Sequence, residues 1–255
     1  MTNRPDQGLT QSVLRAADIL IALGANESPV GVSALAAQCG LSPATTHRLL
    51  QSLLGFGLVS YDPARRLYGL GSAVLQLGLF ALEHQPLRAE ARPMLNALRE
   101  VSGETVTLYV ATADGSMGIE QAVTLADARR IPALGETLPF DATPAGRLLL
   151  AYQDERFIAR YVTERIQDVA AREQLLRSQG DQGSALLIGT VRGDPPTSAA
   201  ALPVRNRQNV VIAAVEVEGP PDRLTPERVR ALEAELRAVV GAFRPVSARP
   251  ELDLS

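Results

Sequence analysis

Between Thr10 and Gly24 the apolar residues recur every three or four positions, putting Val13, Leu14, Ala17, Leu20 and Ile21 on one side, as an amphipathic helix requires. Gly24 and the run Asn26-Glu27-Ser28-Pro29 end it. A shorter helix is expected to open at Ser33, carry Leu35 and Ala36 inward, and stop at Gly40, which takes the left-handed position after a helix end. A third opens where Ser42 caps and Pro43 fills the first turn, whose N–H would be unpaired anyway. Its inner face is Thr46, Leu49, Leu50 and Leu53, and Gly55 and Gly57 break it.

The period then changes. LVSY (58–61) and RLYGL (66–70) are short β-leaning runs around the turn Asp62-Pro63-Ala64-Arg65. Three short helices followed by a hairpin is the order of a winged helix-turn-helix. Ser72 opens an apolar helix to about His84, and Gln85-Pro86 marks the joint to the next, roughly Leu87–Val101. Beyond it, TVTLYVATA (105–113), Asp114-Gly115 and SMGIEQAV (116–123) read as a hairpin. Helical stretches are expected around 144–151, 153–165 and 168–179, strands at 185–191, 198–204 and 210–218, and a final helix from Thr225 to Phe243. Hairpins mixed with helices predict an α+β fold with an antiparallel sheet rather than a doubly wound one. The expected division is 1–70 for the winged domain, 71–85 for a linker helix, 86–245 for the second domain and 246–255 for a tail.

Composition narrows the function without naming it. The chain has 255 residues, 46% of them hydrophobic, which is ample for two modest cores. One cysteine, Cys39, excludes an internal disulfide or a thiolate cluster within a subunit. The polar start MTNRPDQGLTQ has no secretory apolar core, and no apolar run reaches membrane-span length, so a cytoplasmic protein is expected. Every basic residue is an arginine, and the net charge is -3. Residues 1–80 hold five arginines against four acids, so DNA binding would rest on a few placed cations rather than a basic field.

Those cations stand where such a fold needs them. Ala44, Thr45, Arg48 and Gln51 form the outer face of the third helix, and Ser42 with the helix start can face a phosphate. Arg48 can fork onto guanine and Gln51 onto adenine; Thr45 can meet a thymine methyl or a phosphate, and His47 a phosphate. Arg65 and Arg66 lie near the wing tip, where cations grip phosphates or a minor groove. The competing reading is a helical hairpin with a solvated polar face.

QSVLRAADILIAL, VSALAAQCGLSPATTHRLLQSLLGFGLVSYD and YGLGSAVLQLG resemble the IclR family of bacterial transcription regulators. The resemblance resumes at SGETVTLYVATADG, GETLPFDATPAGRLLLAY and NVVIAAVEVEGP, spans most of 9–243, and is weakest at 165–198. It implies a winged helix-turn-helix, a linker helix that helps pair subunits, and an effector domain resembling the GAF fold. It also implies operator binding as a homodimer or homotetramer, altered by a small metabolite, with Thr45, Arg48 and the wing arginines on the DNA. One departure is Pro43, where the family often has a basic residue; phosphate grip would then fall to the amides of Ala44 and Thr45.

The implied effector pocket departs further. In relatives that bind organic acids it resembles a helix start whose amides hold a carboxylate, here Asp141 to Arg147, and Pro144 lacks one such donor. Where the family often has Ser-x-Ser-Gly-Pro, this chain has Glu216-Val217-Glu218-Gly219-Pro220, two carboxylates on one strand face. Ala199 stands where a family cysteine is common. A pocket lined by Leu138, Phe140, Asp141, Pro144, Ala145, Ala199, Ala201, Glu216 and Glu218 would suit a neutral or cationic effector. The alternative is that the two glutamates sit at a solvated strand end or pair with Arg147 or Arg205.

Enzyme readings have less to stand on. His47 and His84, the only histidines, form no metal or triad spacing, and GSAVLQLG lacks the pattern of a phosphate loop. No catalytic residue, metal or cofactor is expected. The expected function is effector-modulated operator binding. The alternatives are a second domain that only assembles subunits, or a metabolite-binding enzyme with an accessory DNA-binding domain.

Overall fold

A computed structural model describes residues 10–124, 134–165, 187–191 and 197–246. The chain divides into two compact units, Met1–Gln85 and Pro86–Ser255.

In the first unit, α1 (Gln11–Ala25), α2 (Val32–Gln38) and α3 (Pro43–Gly55) precede the antiparallel hairpin β1 (Val59–Asp62) and β2 (Leu67–Leu70). Ile19, Leu23, Leu35, Leu50, Leu53, Val59 and Tyr68 form one buried cluster, so every element contributes to a single core. A backbone bridge between Val30 and Tyr68 ties the entry to α2 onto the wing. Gly40 has φ +64, and the Leu41 amide donates to the Ala36 carbonyl at 2.9 Å, which closes α2 as the sequence predicts.

Two local expectations are corrected. The inner side of α1 is Ile19 and Leu23, while Val13 and Ile21 are exposed. This helix is apolar around more than half its girth, and periodicity alone does not fix which edge turns inward. The second helix starts at Val32 after Gly31, without a side-chain cap, so Ser33 lies inside it.

α4 (Ser72–Glu83) closes the first unit and exposes Leu75, Leu77, Leu79 and Phe80. No helix among the described residues is long and apolar enough to cross a membrane.

The second unit is built on a six-stranded antiparallel sheet in the order β5-β4-β3-β8-β7-β6. The strands are β3 (Thr105–Ala111), β4 (Ser116–Ala122), β5 (Thr137–Leu138), β6 (Leu187–Val191), β7 (Thr197–Arg205) and β8 (Val211–Gly219). On one face α5 (Pro86–Ser102) and α8 (Pro226–Ala242) cover Val106, Leu108, Leu202, Val215 and Val217. On the other, α6 (Pro144–Ala151) and α7 (Glu155–Arg165) pack on Tyr109, Ala201 and Ala214. Covered on both sides, the central strands bury nearly every residue, and this explains the long apolar runs in NVVIAAVEVEGP. The α+β class and the antiparallel sheet agree with the sequence reading. The helix expected at 168–179 lies outside the described residues.

Candidate functional site

The first candidate surface is the outer side of α3. The Ser42 hydroxyl accepts the Thr45 amide at 3.2 Å and exchanges a 2.9 Å hydrogen bond with the Thr45 hydroxyl. Pro43 fills the first turn, as expected. Thr46, Leu50 and Leu53 are buried, which leaves Ala44, His47, Arg48 and Gln51 exposed with Thr45 half-buried. Ala44, Arg48 and Gln51 are spaced i, i+4 and i+7 along one side. The reading face inferred from spacing is thus an accessible face, held by a core on the opposite side of the same helix.

The wing is a tight turn with a defined cause. One Asp62 carboxylate oxygen accepts the amides of Ala64 at 2.9 Å and Arg65 at 3.2 Å. Arg66 takes φ +56, a left-handed conformation that costs a non-glycine residue energy. Both arginines are exposed, and Arg65 lies 4.0 Å from Asp62, too loose and too solvated to consume its charge.

The second candidate surface is the α6 side of the sheet. Strand alternation turns Thr105, Thr107 and Tyr109 of β3 toward it, together with Ala214, Glu216 and Glu218 of β8 and Ala199 and Ala201 of β7. Thr107 pairs directly with Glu216 across β3 and β8, and Ala201 pairs with Glu216 on the other side. Gly118 of β4 lies opposite Tyr109, and a Cβ there would meet Thr107 Cγ2 at 3.2 Å and Tyr109 Cε1 at 3.7 Å. Both side chains therefore converge over that glycine.

Glu216 is 1% exposed, and its Oε2 accepts the Ala145 amide at 2.6 Å. Ala145 is the second residue of α6, so the carboxyl occupies the partial positive end of that helix. Thr143 caps the same helix by accepting the Gly146 amide at 2.9 Å. Burial pushes the Glu216 acid up to about 8 and Glu218 adds to the rise, while the Ala145 amide, Arg147 and Thr143 hold it lower. Glu218 is 8% exposed and accepts the hydroxyl of Thr197. The solvated strand end weighed from the sequence is corrected: alternation on a doubly covered central strand buries both glutamates. Arg147, weighed as a partner, does act electrostatically on Glu216. Arg205 instead donates to the Tyr152 hydroxyl at 3.0 Å.

Among the described residues, four buried oxygens on this side make no close hydrogen bond: Thr107 Oγ1, Tyr109 Oη, Ser116 Oγ and Glu216 Oε1, the Thr107 hydroxyl lying only near enough to Tyr109 to interact weakly with its phenol. Each such atom carries a desolvation cost, so a group of them is a sign of something that binds. Burial, reinforced by Glu216 and Glu218, pushes the Tyr109 phenol up, so it remains a neutral hydroxyl donor.

The remaining expected lining divides. Pro144, Ala145, Ala199 and Ala201 are buried on this side. Phe140 packs edge-on to Phe157 and Tyr161, with centroids 5.9 and 5.2 Å away, and supports the α6–α7 layer. Asp141 accepts the Tyr161 hydroxyl at 3.2 Å, and Leu138 is half-buried on β5. Sequence reasoning missed Thr107, Tyr109 and Ser116. The signal for Thr107 and Tyr109 is the polar half of the alternation in TVTLYV, while Ser116 opens the next strand, SMGIEQA.

Comparison with known proteins fixes the family. A family model described as the IclR helix-turn-helix domain matches residues 12–63, and one described as the bacterial transcriptional regulator IclR C-terminal matches 79–178. A glycerol operon regulatory protein of Streptomyces griseus is 31% identical over 252 residues, covering 96% of each chain. Its Streptomyces coelicolor counterpart is 29% identical, covering 90% of this chain and 94% of that one. An IclR family regulator from Brucella abortus superposes with a TM-score of 0.80 at 21% identity, covering 93% of both chains. An IclR homologue from Microbacterium hydrocarbonoxydans, solved with 4-hydroxybenzoate, gives 0.72 at 18% identity, covering 93% of this chain and all of that one. With a winged helix-turn-helix whose outer α3 face is exposed and an antiparallel-sheet second unit, the chain belongs to the IclR family of DNA-binding bacterial transcription regulators.

Proposed function

We propose that α3 and the wing bind operator DNA, and that a small molecule on the α6 side of the second unit's sheet modulates that binding. Arg48 and Gln51 read bases, Thr45 and Ala44 line the same approach, Ser42 and His47 meet phosphates, and Arg65 and Arg66 grip the backbone beside the site. The first unit then works as the winged domain (1–70), 71–85 as the linker, and 86–245 as the effector and assembly domain. The apolar residues exposed on α4 support pairing of two copies, as a homodimer or a pair of dimers. The protein works without catalysis, in the cytoplasm.

The observation that carries the effector reading is the set of four unpartnered buried oxygens on one sheet face. A domain that only assembled subunits would have no reason to retain them. The Microbacterium complex supports a small-molecule role for this fold, and the Streptomyces names support control of small-molecule metabolism. Two buried glutamates favour a neutral or cationic effector over a simple carboxylate.

Effector binding would act by changing how paired subunits hold their recognition helices against two half-sites. The test is retention of promoter fragments flanking the chain's own gene, measured with and without a panel of neutral, acidic and amine metabolites. Retention that falls or rises with one compound is expected. Retention indifferent to the whole panel, with no shift in the second unit's melting, would leave an assembly role in its place.

A further inference from the structure

An amide cradle at a helix start attracts an anion, because its N–H groups are unpaired and the helix dipole is positive there. In this chain the cradle of α6 is already filled from within. Glu216 reaches across from β8 and takes the Ala145 amide at 2.6 Å, while Pro144 brings no N–H and the Gly146 amide is held by Thr143. An incoming carboxylate would find no free amide at the first turn and would face a second carboxyl, Glu218, one strand step away.

The groups left unpartnered are of another kind. Thr107, Tyr109 and Ser116 present neutral hydroxyls, and Glu216 presents its remaining oxygen; all four residues are at most 2% exposed. A hydroxyl both donates and accepts, so a partner that also does both satisfies each of these atoms without bringing charge into a buried place. An ammonium ligand fares worse, since Arg147 already places a positive charge near Glu216. Ala199, Ala201, Ala214 and Gly118 flank these groups with little side-chain bulk.

Resting on the effector reading above, we propose that this face takes an uncharged small molecule with several hydroxyl groups, a polyol or small sugar, and that Glu216 stands where an acidic ligand's carboxylate would bind. The raised proton affinity of Glu216 fits this, because a largely protonated acid accepts from Ala145 through one oxygen and donates to a ligand hydroxyl through the other.

Two measurements on the full chain test the assignment. Calorimetric titration compares glycerol and the four- to six-carbon polyols and aldoses with the matched acid glycerate and the matched amine 2-amino-1,3-propanediol. One neutral compound is expected to bind about tenfold or more tightly than the acid or the amine, since either ion must shed its hydration in a buried site. In the second, Glu216→Ala empties the cradle, and millimolar acetate is expected to raise the variant's melting temperature while leaving the wild type unmoved. Glu216→Gln keeps the shape, and is expected to retain the polyol preference without gaining affinity for glycerate. Tighter wild-type binding of glycerate or of the amine overturns the ligand class, as does acetate acting equally on wild type and Glu216→Ala. Acetate rescue with no polyol binding also overturns the class, yet leaves the effector reading standing. Failure of every compound, acetate rescue included, overturns the effector reading itself.

Discussion

The two units solve the problem of a binding surface in opposite ways. In the first, the proposed reading face is the solvated side of a helix whose other side makes the core, so Arg48 and Gln51 cost nothing to hold in water. In the second, the candidate site is the inside of the protein. Thr107, Tyr109, Ser116 and Glu216 are buried by a sheet with helices on both faces, and their unpaired oxygens lower the stability of the unit that carries them. An exposed site can be altered without touching the fold, whereas a buried one is part of the fold. Substitutions on the two sides separate these cases.

Leu50→Ala has the largest expected effect. Leu50 is fully buried in the centre of the first unit's cluster, so truncation costs roughly 2–5 kcal/mol and melts the unit. Operator binding disappears together with the first unit's calorimetric transition. Normal DNA binding with a lowered transition would mean that α3 keeps its face without its core, and the comparison would fail.

Glu216→Gln tests the cost on the other side. The folded acid is raised to about 8 from an ordinary value of 4.5, so the folded state holds the proton more tightly than the unfolded chain. Stability is therefore intact below about pH 4.5 and is lost as pH rises toward 8. At one pKa unit per 1.36 kcal/mol, the loss by pH 8 is about 4 kcal/mol. The glutamine variant matches the wild type in acid and exceeds it in base. Melting curves of the second unit that are equally flat with pH in both proteins would remove the burial penalty on which this prediction stands.

Arg48→Ala is expected to weaken specific operator binding by about 1–3 kcal/mol, with little change for random DNA and stability unchanged within about 0.5 kcal/mol. Arg65→Ala with Arg66→Ala weakens both kinds of DNA alike and lowers the salt slope by about two. Fluorescence anisotropy across salt concentrations reads both. Equal loss on specific and random DNA for Arg48→Ala would make that residue a phosphate contact.

The same contrast explains what could be read in advance. The winged unit is built from local signals: Ser42-Pro43 starts a helix, Gly40 ends one, and Asp62-Pro63 turns a hairpin, each within a few residues. Its proposed reading face follows from one helical period. The second site is assembled from β3, β4, β8 and the start of α6, so Ala145 and Glu216 meet across 71 positions of sequence. Adjacent spacing places Glu216 and Glu218 on one face, but only the sheet order brings Thr107 opposite Glu216. Burial of the pair, and so its chemistry, depends on helices covering both faces of the sheet, which no local pattern states.

The smallest effects give the sharpest test, because two equally buried threonines, one on α3 and one on β3, differ in how their hydroxyls are paired. Thr46 and Thr107 are both buried, at 0% and 2% exposure. The Thr46 hydroxyl donates to the Ser42 carbonyl at 3.1 Å, whereas the Thr107 hydroxyl makes no close hydrogen bond among the described residues and has only a weak interaction with Tyr109. Valine keeps the shape of each and removes only the hydroxyl. At position 46 this deletes a satisfied hydrogen bond and should cost about 1 kcal/mol. At position 107 it deletes a buried polar atom that gains nothing from the protein, so Thr107→Val should stabilise the ligand-free second unit by roughly 1 kcal/mol and weaken effector binding. Denaturant titration reads the two signs directly. A destabilised Thr107→Val would mean that its hydroxyl is already satisfied without a ligand, and the face beneath α6 would then be an ordinary core rather than a site.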